Sequence, residues 1–165
     1  TRVDTNGLPS GAGGVRVASV ATTEAAVFVT NGSPQALWRS DDDGASWSRV
    51  AAVPEPASGV ATVLSAQETV LVQEGSGGGL HVSADGGATW TARPAPPPLD
   101  VSVLTLARAD TPAGRSHAFI SGESTPRLYV THDDFATVEP ALADLAVDQV
   151  VSNGREMLAL PTRTT

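Results

Sequence analysis

The chain has 165 residues, 41% of them hydrophobic, with 16 Gly, 12 Pro, no Cys and a formal net charge of −8. A length and balance of this kind fit one turn-rich globular domain, and the acidic surplus argues against a duplex-binding face or docking on anionic lipid. Without Cys, disulfides, thiolate metal sites and thiol catalysis are excluded, and no apolar run is long enough for a membrane-spanning helix.

In chain order, Thr1–Leu8 reads as a lone strand followed by a Gly/Pro turn, similar to Arg49-Val50 followed by Val53-Pro54. Thr1 is not a start residue, so further sequence is expected upstream. From there the pattern repeats. Short apolar runs at Val15 to Val20, Ala26 to Val29 and Leu37 to Arg39 lead into Ser40-Asp41-Asp42-Asp43-Gly44-Ala45-Ser46-Trp47, and a last run, Trp47 to Val50, follows. The next copy has Val60 to Leu64, Val70 to Val72 and Leu80 to Val82, then Ser83-Ala84-Asp85-Gly86-Gly87-Ala88-Thr89-Trp90. The third has Val101 to Leu106, Ala118 to Ile120 and Leu128 to Val130, then Thr131-His132-Asp133-Asp134-Phe135-Ala136-Thr137-Val138. This last copy keeps the hydroxyl and the Asp but carries Phe135 for Gly and Val138 for Trp. A fourth begins at Val147 to Val151, turns at Asn153-Gly154 and continues from Glu156 to Leu160.

Four short strands per repeat, rich in β-branched residues and recurring every 40–50 residues, are the pattern of a propeller blade. The fold class is therefore all-β: a β-propeller of about 3.5 four-stranded antiparallel blades. Its expected segments are 1–8 (last strand of a preceding blade), 15–53, 60–93, 101–142 and 147–160. The two full motifs fit S-x-D-x-G-x-x-W. The spacing and motif resemble the Asp-box (BNR) repeats of sialidases, sortilin-type receptors, xyloglucanases and photosystem assembly factors. The resemblance covers nearly the whole chain as blade pattern, but the specific motif covers only these corners. An open arc would leave apolar strands and edges facing water, so the remaining blades are expected from another chain or from sequence outside this segment, in a seven- or eight-bladed ring or, with one third strand lacking, a four-bladed one. The resemblance further implies an exported protein.

In each corner the Asp (Asp42, Asp85, Asp133) is expected to accept backbone N–H bonds within its own turn. The hydroxyl of Ser40, Ser83 or Thr131 adds a bond at the entrance. Gly44 and Gly87 supply a backbone angle that a Cβ disfavours, and Trp47 and Trp90 cover the turn. Asp41-Asp42-Asp43 does not match a calcium loop, because Ala45 stands where a ligand is needed. In the Asp-box family these corners lie on the blade periphery, so the resemblance makes them structural rather than catalytic.

A binding surface is expected on loops joining the second and third strands, and on those joining successive blades. Candidate contacts there are Asn31, Gln35, Glu55, Glu74, Glu123 and Arg127. No cofactor, no metal and no catalytic residue is expected. The three His lack metal-ligand spacing, and no nucleophile elbow occurs. A sialidase needs a Tyr nucleophile, and Tyr129 falls inside a strand. A xyloglucanase-type site needs two carboxylates across a cleft, and nothing singles out a pair. The leading reading is a non-catalytic binding or scaffold module for a protein or, secondarily, a glycan, with a fragment of a secreted glycoside hydrolase as the alternative.

Overall fold

The computed structural model describes residues 8, 17–31, 36–53, 60–74, 79–93, 103–121, 126–142 and 145–162. The side chains of Val17, Ala18, Asn31, Val60, Ala61 and Leu104 are not described. The described residues form strands and turns without a helix. The first sheet holds β1 (Val17–Thr22), β2 (Val27–Asn31), β3 (Leu37–Ser40) and β4 (Ser48–Arg49). The second holds β5 (Val60–Ala66), β6 (Thr69–Glu74), β7 (Leu80–Ser83) and β8 (Thr91–Arg93). The third holds β9 (Val103–Thr111), β10 (Gly114–Ser121), β11 (Leu128–Thr131) and β12 (Glu139–Ala141). A two-stranded sheet of β13 (Val147–Ser152) and β14 (Met157–Pro161) follows. In every sheet the strands lie side by side in chain order, and the pairs with a described register are antiparallel. Such meanders need only short connections.

The sequence explains the local choices. Val, Leu and Thr dominate the first two strands of the first and second sheets, where side chains alternate between two faces. Near the chain start of β1, β5 and β13 the register slips at Val17/Ser19, Val60/Thr62 and Val147/Gln149, a bulge repeated in the first strand. The β5–β6 hairpin turns on Gln67, held at φ 53°. The fourth strands are two or three residues long and largely exposed. Pro140 removes a donor from β12, as an outer-edge strand tolerates.

The chain divides into two compact units, Thr1–Ala92 and Arg93–Thr165. In the first, the face of the first sheet bearing Ala21, Phe28 and Leu37 packs on the face of the second bearing Val63, Val70 and Val72, with Val53 between them. Hydroxyls stitch the first strands together: Ser19 Oγ donates to the Val63 carbonyl at 3.0 Å and Ser65 Oγ to the Thr22 carbonyl at 2.6 Å. In the second unit, Ala107, Ala118, Ile120 and Leu128 of the third sheet pack on Val147 and Val150 of the last. Ser152 Oγ donates to the Arg108 carbonyl, and the Asp110 amide to the Gly154 carbonyl at 2.9 Å. Each unit thus repeats one motif, a sheet stacked on the next through one face and a serine hydroxyl.

The stacked four-stranded meander is the blade of a β-propeller, and the chain is part of one.

Candidate functional site

The corners between third and fourth strands are the most completely bonded features of the described residues. Ser40 Oγ donates to Asp42 Oδ1 at 2.8 Å and accepts the Gly44 amide at 2.8 Å. Asp42 then accepts the Ser46 amide at 2.8 Å on Oδ1 and the Ser46 hydroxyl at 2.6 Å on Oδ2. The second corner repeats these four bonds: Ser83 to Asp85 at 2.8 Å, Gly87 to Ser83 at 2.7 Å, and the Thr89 amide and hydroxyl to Asp85 at 2.9 and 2.6 Å. Gly44 and Gly87 sit at φ 88° and 87°, where a side chain is strained.

The two tryptophans do different work. Trp90 donates its Nε1 proton to the Gly87 carbonyl at 3.1 Å and meets Phe28 edge-on, with centroids 6.2 Å apart. Trp47 is buried with Leu8 and Val29 on the opposite face of the first sheet.

The third corner lacks both Gly and Trp, yet its bonds are the same. Thr131 donates to Asp133 at 2.9 Å, the Phe135 amide donates to Thr131 at 3.1 Å, and the Thr137 amide and hydroxyl reach Asp133 at 2.8 and 2.7 Å. Phe135 takes the glycine's place at φ 67°. Its ring is buried 5.3 Å from that of His117 and 5.8 Å from that of Phe119.

The hydroxyl and amide donors hold all three carboxyls down. Ser46, Thr89 and Thr137 lead in lowering Asp42, Asp85 and Asp133 from 3.8 to about 2. These three hydroxyl residues were not singled out in the motif, although their recurrence two positions after the glycine site was visible in all three copies.

Of the expected contact residues, Gln35, Glu55 and Glu123 lie outside the described residues. Asn31 ends β2 and Glu74 ends β6, at matching positions opposite Val17 and Val60. Glu74 Oε1 lies 2.8 Å from His81 Nε2, and His81 is 5% exposed. Arg127 is exposed beside β11, its amide donating to Ser121 Oγ at 3.4 Å. Asn31 and Glu74 belong to the first unit and Arg127 to the second. Tyr129 is buried in β11, stacked 5.5 Å from Phe119.

A charged cluster not foreseen from the sequence lies on the third sheet. Arg108, mostly buried, binds Asp110 through Nη2 at 2.7 Å and Nε at 3.1 Å. Arg115 Nη1 lies 3.8 Å from Asp134, and His117 Nδ1 lies 4.0 Å from the same carboxylate. Burial pushes His117 down to about 4, although Asp134 pulls the other way. Among the described residues, no group of three His, Cys, Asp or Glu is arranged to hold a metal ion. No described helix is long and apolar enough to cross a membrane.

The comparisons agree with the architecture. No family model matches the chain, and no curated protein matches it. Among solved structures, one described as YCF48 bound to D1 peptide is similar over 90% of this chain, at 14% identity and a TM-score of 0.53. YCF48 from Cyanidioschyzon merolae is similar over 85%, at 16% identity and a TM-score of 0.49. The chain spans about half the length of each, 48% in both cases.

Proposed function

We propose that this chain is a non-catalytic β-propeller binding module whose partner is a protein segment. The observation that carries the reading is the likeness over 90% of the chain to a propeller described as bound to a peptide. The described ionisable groups support it. A proton-transfer catalyst needs a group poised near the working pH. The corner carboxylates lie near 2, saturated by donors within their own turns. His81 is engaged by Glu74, and Arg108 by Asp110. In the same reading the corners are Asp boxes, rim fasteners that leave the loops between second and third strands for contact. Arg127 offers donors in one such loop, and Glu74, at the end of β6, borders another. The net charge of −8 favours a neutral or basic segment.

The test pairs a displayed random-peptide library, with hits quantified by calorimetry, and a panel of aryl glycosides. The expected result is saturable peptide binding in the micromolar range, weakened by Arg127→Ala, which removes the guanidinium donors, with no glycoside turnover. Glycoside hydrolysis that survives repurification, or a library yielding no saturable binder, would overturn the reading.

A further inference from the structure

The turn between β13 and β14 joins a reactive residue pair to a contact between sheets. Asn153 is followed there by Gly154. In such a pair the glycine amide nitrogen can attack the asparagine Cγ, because no glycine Cβ shields it. The nitrogen gives up its proton, a five-membered succinimide closes and ammonia leaves. Water then opens the ring. Attack at Cγ gives aspartate, and attack at the main-chain carbonyl gives isoaspartate, which carries an extra methylene in the backbone.

In the folded chain both reacting groups are held elsewhere. Asn153 Oδ1 accepts the Arg155 amide at 2.9 Å and the Glu156 amide at 2.8 Å. The Gly154 amide donates to Ser152 Oγ at 2.9 Å. That hydroxyl is itself committed to the Arg108 carbonyl of the third sheet. The Gly154 carbonyl accepts the Asp110 amide at 2.9 Å, and Gly154 bridges Ala109 of β9. Turning Cγ onto the glycine nitrogen therefore breaks the bonds to Oδ1 and the bond to Ser152. Asn153 is nonetheless exposed, so water reaches it.

We propose that Asn153 is a deamidation site that the fold keeps closed and that opens when the β13–β14 turn lifts off the third sheet. The two products differ in effect. An aspartate keeps the acceptor oxygen for the Arg155 and Glu156 amides, as Asp42 does for the Ser46 amide. An isoaspartate displaces the main chain by one methylene, and the Gly154 carbonyl loses its register with the Asp110 amide. Release of the turn from the third sheet then becomes permanent. This site does not rest on the peptide-binding reading, because the turn joins first and second strands and is not among the loops of that reading.

The experiment is peptide mapping by mass spectrometry of the full chain after incubation in mildly alkaline buffer, with and without urea. The readout is the fraction of Asn153 converted. Folded wild type is expected to convert more slowly than the unfolded chain by roughly tenfold or more, since reaction in the fold waits on a local opening. Ser152→Ala removes the tie to Arg108 and the acceptor of the Gly154 amide. It is expected to speed conversion several-fold in native buffer and to leave the rate in urea unchanged. Ser152→Thr, which keeps the hydroxyl, is expected to match wild type. Conversion of wild type as fast in the fold as in urea, or faster, overturns the proposal. A Ser152→Ala chain with a wild-type circular dichroism spectrum and a wild-type native rate overturns it equally. Should Ser152→Ala fail to fold, the wild-type comparison decides alone.

Discussion

The Phe135 amide donates to the Thr131 hydroxyl at 3.1 Å, the bond that Gly44 and Gly87 make to their serines at 2.8 and 2.7 Å. Phe135 holds a left-handed backbone angle that disfavours a side chain, so its ring must stabilise the corner by more than the angle costs. The ring fills the space between His117 and Phe119. Phe135→Ala keeps the angle and loses the ring, and urea denaturation should show a loss of about 3–5 kcal/mol. Phe135→Gly should be less damaging than Phe135→Ala, because it relieves the backbone.

Gly87 lies where a Cβ would come within 2.4 Å of Phe28 Cζ in the neighbouring sheet, at a φ of +87°. Gly87→Ala therefore combines backbone strain with overpacking, together about 2–4 kcal/mol. Phe28→Leu in the same chain should recover the steric part but not the backbone part. A double-mutant cycle by thermal unfolding would show this as a favourable coupling, and strict additivity would contradict it.

Asp42, Asp85 and Asp133 are depressed in the folded chain from 3.8 to about 2. Their contribution to stability is therefore full above about pH 4 and lost as pH falls towards 2. Thr89→Val removes the leading donor to Asp85 and should raise that carboxyl's pKa, read by NMR titration of its side-chain carbon. It should also cost about 1 kcal/mol at neutral pH. Thr89→Ser, which keeps the hydroxyl, should leave both near wild type.

His117 titrates in a higher window. Burial lowers it from 6.5 to about 4, so the unfolded chain takes up the proton first as pH drops. Stability should fall from about pH 6.5 to 4, by roughly 2–3 kcal/mol in all. His117→Gln should flatten the denaturation midpoint across that window while leaving the lower, carboxylate-dependent loss in place.

The repeat was readable in the sequence because the corner chemistry is local. Ser83, Asp85 and Gly87 bond one another within five residues, so their spacing carries the structure. The third corner read as worn because Phe135 and Val138 break the motif. Its hydrogen bonds nonetheless run through Thr131, Asp133 and Thr137, which remain. The Arg108, Arg115 and His117 cluster was not legible, since His117 is buried against the ring of Phe135, which comes from the corner after β11. The clamp on Phe28 was hidden for the same reason: Arg39 covers its ring at 5.7 Å and reaches the Gly86 carbonyl of the next sheet at 3.2 Å.

Residue-resolved amide hydrogen exchange on the folded chain tests the account most directly. The amides of Gly44, Gly87 and Phe135 each donate into a buried hydroxyl at the end of a third strand, and they should exchange as slowly as the amides of β3, β7 and β11. Free-chain exchange at these three amides, with the neighbouring strands protected, would contradict a structure of successive sheets each pinned by its own corner.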